Sequence, residues 1–534
     1  MTLDHEDLTQ GLFEVGAHGR SGTRSPVRRA RMLRVRQRLD RQPAAKHGEA
    51  AGTVPHTSSR APVLKPARSD AEADYYELTQ KMGKQEILPG LKTEVWGYDG
   101  VFPGPTIESR RGRRTVVRHR NELPVPAVVH LHGGVTPPGS DGYPTDLILP
   151  KGHGHRGSAH AGHGGTTQGH AAAGQHCNLF KDYLYPNEQR AATLWYHDHR
   201  MDFTGPQVYK GLAGLYLLHD DEEDASPLPA SEKDVPLVIC DRSFGEDGSL
   251  LYPSLDPSLS AEPGVTDAYM RGVLGDVILV NGAPWPVMEV SNTKYRFRLL
   301  NASNARRYEL ALDPEPLEGA PFVQVGSDGG LLGAPIGHRT VPIAQAERFD
   351  VVIDFSEYEV GMEVTLKNRL GDGRTSDVMR FRVNRREREE SAVPDRLSDM
   401  GEFETLDESA ATLTRRFRFT QSAGGGATMW TVNGEAFDPG RVHARPELGS
   451  TEVWEFVTDA HHPVHLHLVN FKVLSRQGRR PLPTDGGWKD TVDVGPGNVV
   501  RVLVPFEGYR GKYVFHCHNL EHEDMTMMAN FEVV

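Results

Sequence analysis

Residues 97–123, "GYDGVFPGPTIESRRGRRTVVRHRNEL", set the reading of the fold: a glycine-centred turn, a proline-marked extended piece, a second turn, then a run with strand-like alternation. The pattern returns at 279–303, "LVNGAPWPVMEVSNTKYRFRLLNAS", and at 431–460, "TVNGEAFDPGRVHARPELGSTEVWEFVTDA". Copies spaced this widely imply three versions of one β-domain rather than a solenoid of small units. They are expected at 71–225, 226–395 and 396–534. A chain of 534 residues is too long for one core, and 56 glycines and 37 prolines among short Val/Ile/Tyr/Phe runs favour strands and turns over helical bundles. The expected class is all-β.

The flanking segments differ. Residues 1–70 are polar and Arg-rich, with 13 Lys/Arg against 7 Asp/Glu, and read as a disordered basic arm with one short helix near 28–39. The whole chain carries −12, so the remainder carries −18, a balance that repels nucleic acid and anionic membrane. No apolar run is long enough to span a bilayer, and "SPVRRARMLRVRQRLD" has no apolar stretch behind its arginine pair. A cytoplasmic location is the expectation. Cys177, Cys240 and Cys517 are too few for a disulfide framework; a Cys177–Cys240 bridge is conceivable, with two free thiols the expected state.

Two stretches interrupt the β pattern. Residues 151–176, "KGHGHRGSAHAGHGGTTQGHAAAGQH", form a Gly/Ala/His-rich insert in the first domain, and 384–410 form a charged linker between the second and third. Neither is expected to carry core. The insert's histidines read either as auxiliary metal capture or a lid, or as a solvated loop, the latter favoured because such sequence fixes no coordination geometry.

Four short segments hold ten histidines: "VVHLHGG" (His130, His132), "LWYHDHRMD" (His197, His199), "HPVHLHLVNF" (His462, His465, His467) and "FHCHNLEHEDMTMM" (His516, His518, His522). On a strand, side chains two apart share a face, so each His-x-His offers two imidazoles to one side. Eight such nitrogens exceed the needs of one zinc or iron site and suit several ions. Cys517 lies between His516 and His518, so its sulfur should point away from their rings, joining two sites through one tripeptide. On the sulfur side, His462, Cys517 and His522 make the His₂Cys set of a blue-copper centre with Met527 as the weak axial ligand; Met525 and Met528 are competitors that the spacing disfavours.

These segments resemble the copper signatures of the multicopper oxidases, in the setting of three-domain bacterial laccases, bilirubin oxidases and phenoxazinone synthase. The resemblance implies three cupredoxin-like Greek-key β-barrels and four copper ions. His462, Cys517, His522 and Met527 match the type 1 ligands, and His130 and His465 the type 2 positions. His132, His197, His199, His467, His516 and His518 match the type 3 pair. Asp141 in "GSDGYP" and Glu523 match acids that manage protons near the cluster, with ligand orientation as the competing role.

The resemblance further implies an enzyme that takes single electrons from phenolic, aminophenolic or bilirubin-like small molecules and reduces dioxygen to water. A cuprous oxidase for copper tolerance ranks second, because such proteins carry a Met-rich insert where this chain has a His-rich one. A copper-binding or electron-carrier protein without oxidase activity ranks third, since a carrier needs only the type 1 set.

Overall fold

A computed structural model describes residues 61–151, 176–424 and 427–534. Nearly all of the basic arm and the His-rich insert lie outside these residues.

The repeat is visible as geometry. Its opening turn is a two-residue hairpin each time, with both central residues at positive φ: Asp99 and Gly100 at 57° and 75°, Asn281 and Gly282 at 50° and 81°, Asn433 and Gly434 at 57° and 80°. This is the type I′ turn, whose twist matches that of the flanking strands and which Asn-Gly and Asp-Gly adopt at least cost. After it, the proline-marked piece joins one sheet: Gly104–Arg110, Val287–Ser291 and Val442–Ala444. The alternating piece joins the facing sheet: Arg114–Asn121, Lys294–Asn301 and Thr451–Thr458. One repeat therefore supplies both layers of a sandwich.

Closure is also repeated. The first-layer piece pairs in parallel with a late strand of its own unit, Gly104–Arg110 with Ala213–His219, Val287–Ser291 with Asp377–Arg385, and Val442–Ala444 with Met528–Val533. The second-layer piece pairs in parallel with an early strand, Ala73–Gln85, Asp234–Arg242 or Ala411–Gly424. Parallel neighbours far apart in sequence require crossing connections, as in a Greek-key path. Each sandwich encloses its own aromatic and β-branched core, around Tyr98 and Tyr196, around Phe297 and Phe381, and around Trp454 and Phe515.

The charged linker is less detached than its composition suggests. Leu397 and Met400 are buried, and Leu397 packs with Leu228, Leu331 and Leu332. Its apolar residues cover the outer face of the middle sandwich while its charges face water, so 384–410 does carry core. Cys177, Cys240 and Cys517 are all free thiols. Among the described residues no helix is long and apolar enough to cross a membrane.

The turn geometry makes a graded prediction. A Cβ at Gly434 meets nothing within 4 Å, so Gly434→Ala should cost only the left-handed strain, about 1–2 kcal/mol. At Gly282 the same atom would lie 2.6 Å from the Phe102 carbonyl oxygen, so Gly282→Ala should be the more destabilising of the two. Denaturant midpoints of the two variants check the order.

Candidate metal centre

Strand ends position the histidines. Val129–His132 ends on its pair, while Ala192–Asp198, His462–Leu466 and Gly511–Cys517 each place one histidine of a pair inside the strand and the next just beyond it. In the first unit Val129–His132 and Ala192–Asp198 are neighbours, with His130 opposite His197. In the third, His465 stands opposite His516. The two edges face each other, and all eight paired histidines are buried between them.

The docking sorts the eight rings in a way no single segment specifies. His132, His197 and His518 form one close trio and His199, His467 and His516 another, while His130 and His465 meet at 3.4 Å between their Nε2 atoms, with His132 close to that pair as well. The two rings of the other three His-x-His pairs fall in different groups. His516 and His518 serve one trio each. Stacking holds the rings across the interface, His130 on His467 at 3.7 Å and His132 on His465 at 3.6 Å between centroids.

Cys517 points the other way, as the strand period requires. Its sulfur lies 3.4 Å from His462 Nδ1 and 3.7 Å from His522 Nδ1, and those two nitrogens are 3.1 Å apart. Met527 sits in the same buried cluster as Cys517, its amide donating to the His522 carbonyl and its carbonyl accepting from the Cys517 amide. Met528 packs with Tyr143, Phe437 and Val514 instead, on the opposite side of the sheet.

The residues fit metal ions. Two ligands at about 2.0–2.1 Å from one ion in trigonal or tetrahedral array stand roughly 3.3–3.6 Å apart. His199 and His467 each bring Nε2 to 3.2 Å from His516 Nε2, close to that spacing. In the other trio His132 Nδ1, His197 Nε2 and both nitrogens of His518 are buried with no hydrogen-bond partner, a cost that a bound cation removes. Burial lowers the pKa of His130, His132, His467, His518 and His522 well below the usual range, and of His197 and His199 to about 3 and about 4, so these rings keep free lone pairs. Burial also pushes the Cys517 thiol far up, so a thiolate there needs a metal as counter-charge.

The two acids flank one trio from outside. Asp141 Oδ2 accepts from His467 Nδ1 at 2.8 Å, and its main-chain oxygen lies 2.6 Å from His130 Nδ1. Glu523 Oε1 accepts from Thr204 Oγ1 at 2.8 Å, and its Oε2 is 3.1 Å from His516 Nδ1. Burial raises Asp141 well above the carboxyl range, with Asp146 adding to the effect. Burial pushes Glu523 the same way, but the imidazoles of His516 and His199 overcome it and hold Glu523 at about 2.

Several contacts have no counterpart in the sequence reading. Trp430 stacks on His522 at 3.8 Å, Asp459 Oδ1 lies 3.1 Å from His462 Nε2, and the Asn519 amide donates to Cys517 Sγ at 3.4 Å. Asp490 Oδ1 is 3.0 Å from His132 Nε2. Asp459 and Asn519 adjoin the motifs and were open to suspicion on position alone; Trp430 and Asp490 lie outside them and carry no local signal.

Comparisons with known proteins agree with this chemistry. Two family models described as multicopper oxidase match residues 410–534 and residues 79–155 and 148–223. A laccase of Bacillus subtilis (strain 168) is 38% identical over 525 residues, covering 88% of this chain and 96% of that protein. A bilirubin oxidase of Albifimbria verrucaria is 36% identical over 483 residues, covering 86% and 76%. The crystal structure of a laccase from Pediococcus acidilactici superposes with a TM-score of 0.75 at 30% identity, covering 91% of this chain and 94% of that one. The chain belongs to the multicopper oxidase family and is a laccase-like, copper-dependent oxidoreductase of four copper ions that uses dioxygen as acceptor.

Proposed function

We propose that the enzyme oxidises phenolic, aminophenolic or bilirubin-like molecules one electron at a time, with His462, Cys517, His522 and Met527 as the type 1 site. His130 and His465 hold the type 2 ion, and the trios His132/His197/His518 and His199/His467/His516 hold the type 3 pair. The observation that carries this reading is the convergence of the eight paired histidines into overlapping close groups, the trios His132/His197/His518 and His199/His467/His516 among them, with Cys517 turned to the opposite side beside His462 and His522. Bound copper supplies reversible one-electron chemistry and, as a cluster, the four-electron reduction of dioxygen.

The chain supplies geometry, wiring and protons. Cys517 is covalently continuous with His516 and His518, which belong to different trios, so one tripeptide reaches from the blue site to both type 3 positions. The Asn519 N–H donates to the sulfur, and that hydrogen bond, together with the thioether of Met527, would tune the potential of a copper held there. Trp430 covers one face of His522 and restricts access to it.

Asp141 and Glu523 divide the proton work because their surroundings push them apart. Asp141 keeps its proton on Oδ1, which makes no hydrogen bond among the described residues and lies 3.7 Å from His130 Nδ1, while Oδ2 goes on accepting from His467. Glu523 is anionic and takes a proton up beside the Thr204 hydroxyl.

Oxygen uptake by the copper-loaded enzyme with o-aminophenols, methoxyphenols, bilirubin and Cu(I) tests the substrate class; a response to Cu(I) alone would refute it. Met527→Leu should raise the type 1 potential in a redox titration while Met528→Leu leaves it unchanged. For the protons, Asp141 loses its store as pH rises, so turnover with oxygen should fall on the alkaline side. Asp141→Asn should remove that limb and slow oxygen reduction by about 10²–10⁴-fold. Glu523→Gln should slow it at least about 10²-fold per bound copper. A carboxylate that only orients His516 would instead weaken copper retention about 10–100-fold and leave turnover per copper intact.

A further inference from the structure

The middle sandwich contributes none of the metal-ligand groups found among the described residues, yet one of its side chains is buried against the cluster. Arg348 is fully buried and spends every guanidinium nitrogen. Nε donates to the Thr193 carbonyl of the first unit at 3.0 Å, Nη1 to the Ala346 carbonyl at 2.9 Å and to Asp490 Oδ1 of the third unit at 2.8 Å, and Nη2 to the Asp328 carbonyl and Asp490 Oδ2. This is a bidentate fork on a carboxylate. The approach is close enough that a Cβ on Gly133, directly after His132, would lie 2.7 Å from Nη2 and 2.9 Å from Asp490 Oδ2.

Residue 490 then reads two histidines in opposite senses. Paired with a guanidinium, the Asp490 carboxylate is an acceptor only, so His132 Nε2, 3.0 Å away, must carry the hydrogen. The lone pair of His132 is thereby on Nδ1, the nitrogen left without a partner in its trio. The main-chain oxygen of Asp490 lies 2.9 Å from His465 Nδ1, which must be the protonated nitrogen of that ring, so its lone pair is on Nε2, facing His130. Thr491 Oγ1 stands 3.2 Å from both rings.

We propose that Arg348 is a positioning residue for oxygen reduction, which through the Asp490 carboxylate fixes the tautomer of His132, so that its Nδ1 aims at a type 3 ion, and holds that ring stacked on His465, whose opposite tautomer is set by the Asp490 main-chain oxygen. The proposal rests on the ligand assignment above and gives the ligand-free sandwich a part in the cluster.

A buried ion pair can be removed in both halves with little loss of stability, whereas removal of one half is costly. Arg348→Met combined with Asp490→Leu therefore separates a structural pair from a positioning one, because Asp328 keeps Lys489 as a partner at 3.2 Å. The double variant, loaded with copper, should melt near the wild type and keep its blue absorption and type 1 paramagnetic signal. Its type 2 signal should change shape, and copper should leave the cluster about 10–100-fold more readily in a chelator titration. A wild-type type 2 signal with wild-type retention in the double variant overturns the proposal. Should the double variant fail to fold, Arg348→Lys, which keeps the charge but not the fork, decides by the same two readouts: altered signal and retention support the proposal, and unchanged values overturn it. A wild-type protein with well under four coppers or no type 2 signal would refute the ligand assignment first, and the proposal with it.

Discussion

Burying ten imidazoles and a thiol away from water is the constraint on which the rest of this molecule depends. Each ring nitrogen without a partner costs free energy, and a fold that buried them for packing alone would be unstable. The structure meets the constraint by turning one nitrogen of most rings toward a main-chain oxygen, a carboxylate or a hydroxyl and leaving the other bare where rings converge. His467 on Asp141, His197 on the Asp198 carbonyl and His465 on the Asp490 carbonyl all follow this rule. The outer partners therefore determine the coordination chemistry as firmly as the ligands do.

The sandwich repeat explains how such a site arises from ordinary β-structure. Strand ends from two copies abut, and a period of two delivers pairs of rings to a shared surface. The middle copy adds no ligand group among the described residues, yet it carries charge into the seam: its Arg348, Asp328 and Glu347 join Lys489 of the third unit in a buried ionic group behind the histidines. The short helix Leu520–Asp524 extends the same principle, its Glu521 accepting from Tyr252 and Asn304 and its Asp524 from the amides of Thr204 and Gly205. Both features pin the metal-bearing loops from more than one side.

Much of this was legible in the chain. The opposed directions of Cys517 and its neighbours follow from strand alternation alone, and the three turn-and-strand copies declare the β-sandwich. What was illegible depends on how sandwiches dock. Nothing local says that His132 meets His197 and His518 as well as His465, because that grouping is set where the first and third units meet. Asp490 and Arg348 carry no motif because their roles exist only once three distant segments converge. The linker's Leu397 looked solvated because the surrounding charge dominates the composition, although a single apolar stripe suffices for packing. Asp141 and Glu523 were visible as acids, while their opposite proton affinities come from burial of the one and from the imidazoles that the folded chain sets beside the other.

The distance along the chain between partners also orders assembly. The ligands proposed for the blue centre lie between His462 and Met527, within one sandwich, so that site needs only local folding. The contact between His132 and Asp490 closes a separation of 358 residues, and the multi-ion pocket cannot exist before both outer units and the middle one have docked. Contacts of such high order form late and slowly. On the proposed ligand assignment, metal would enter that pocket as cargo delivered to a finished vessel, and maturation would divide into an early single-ion event and a later one gated by interdomain closure.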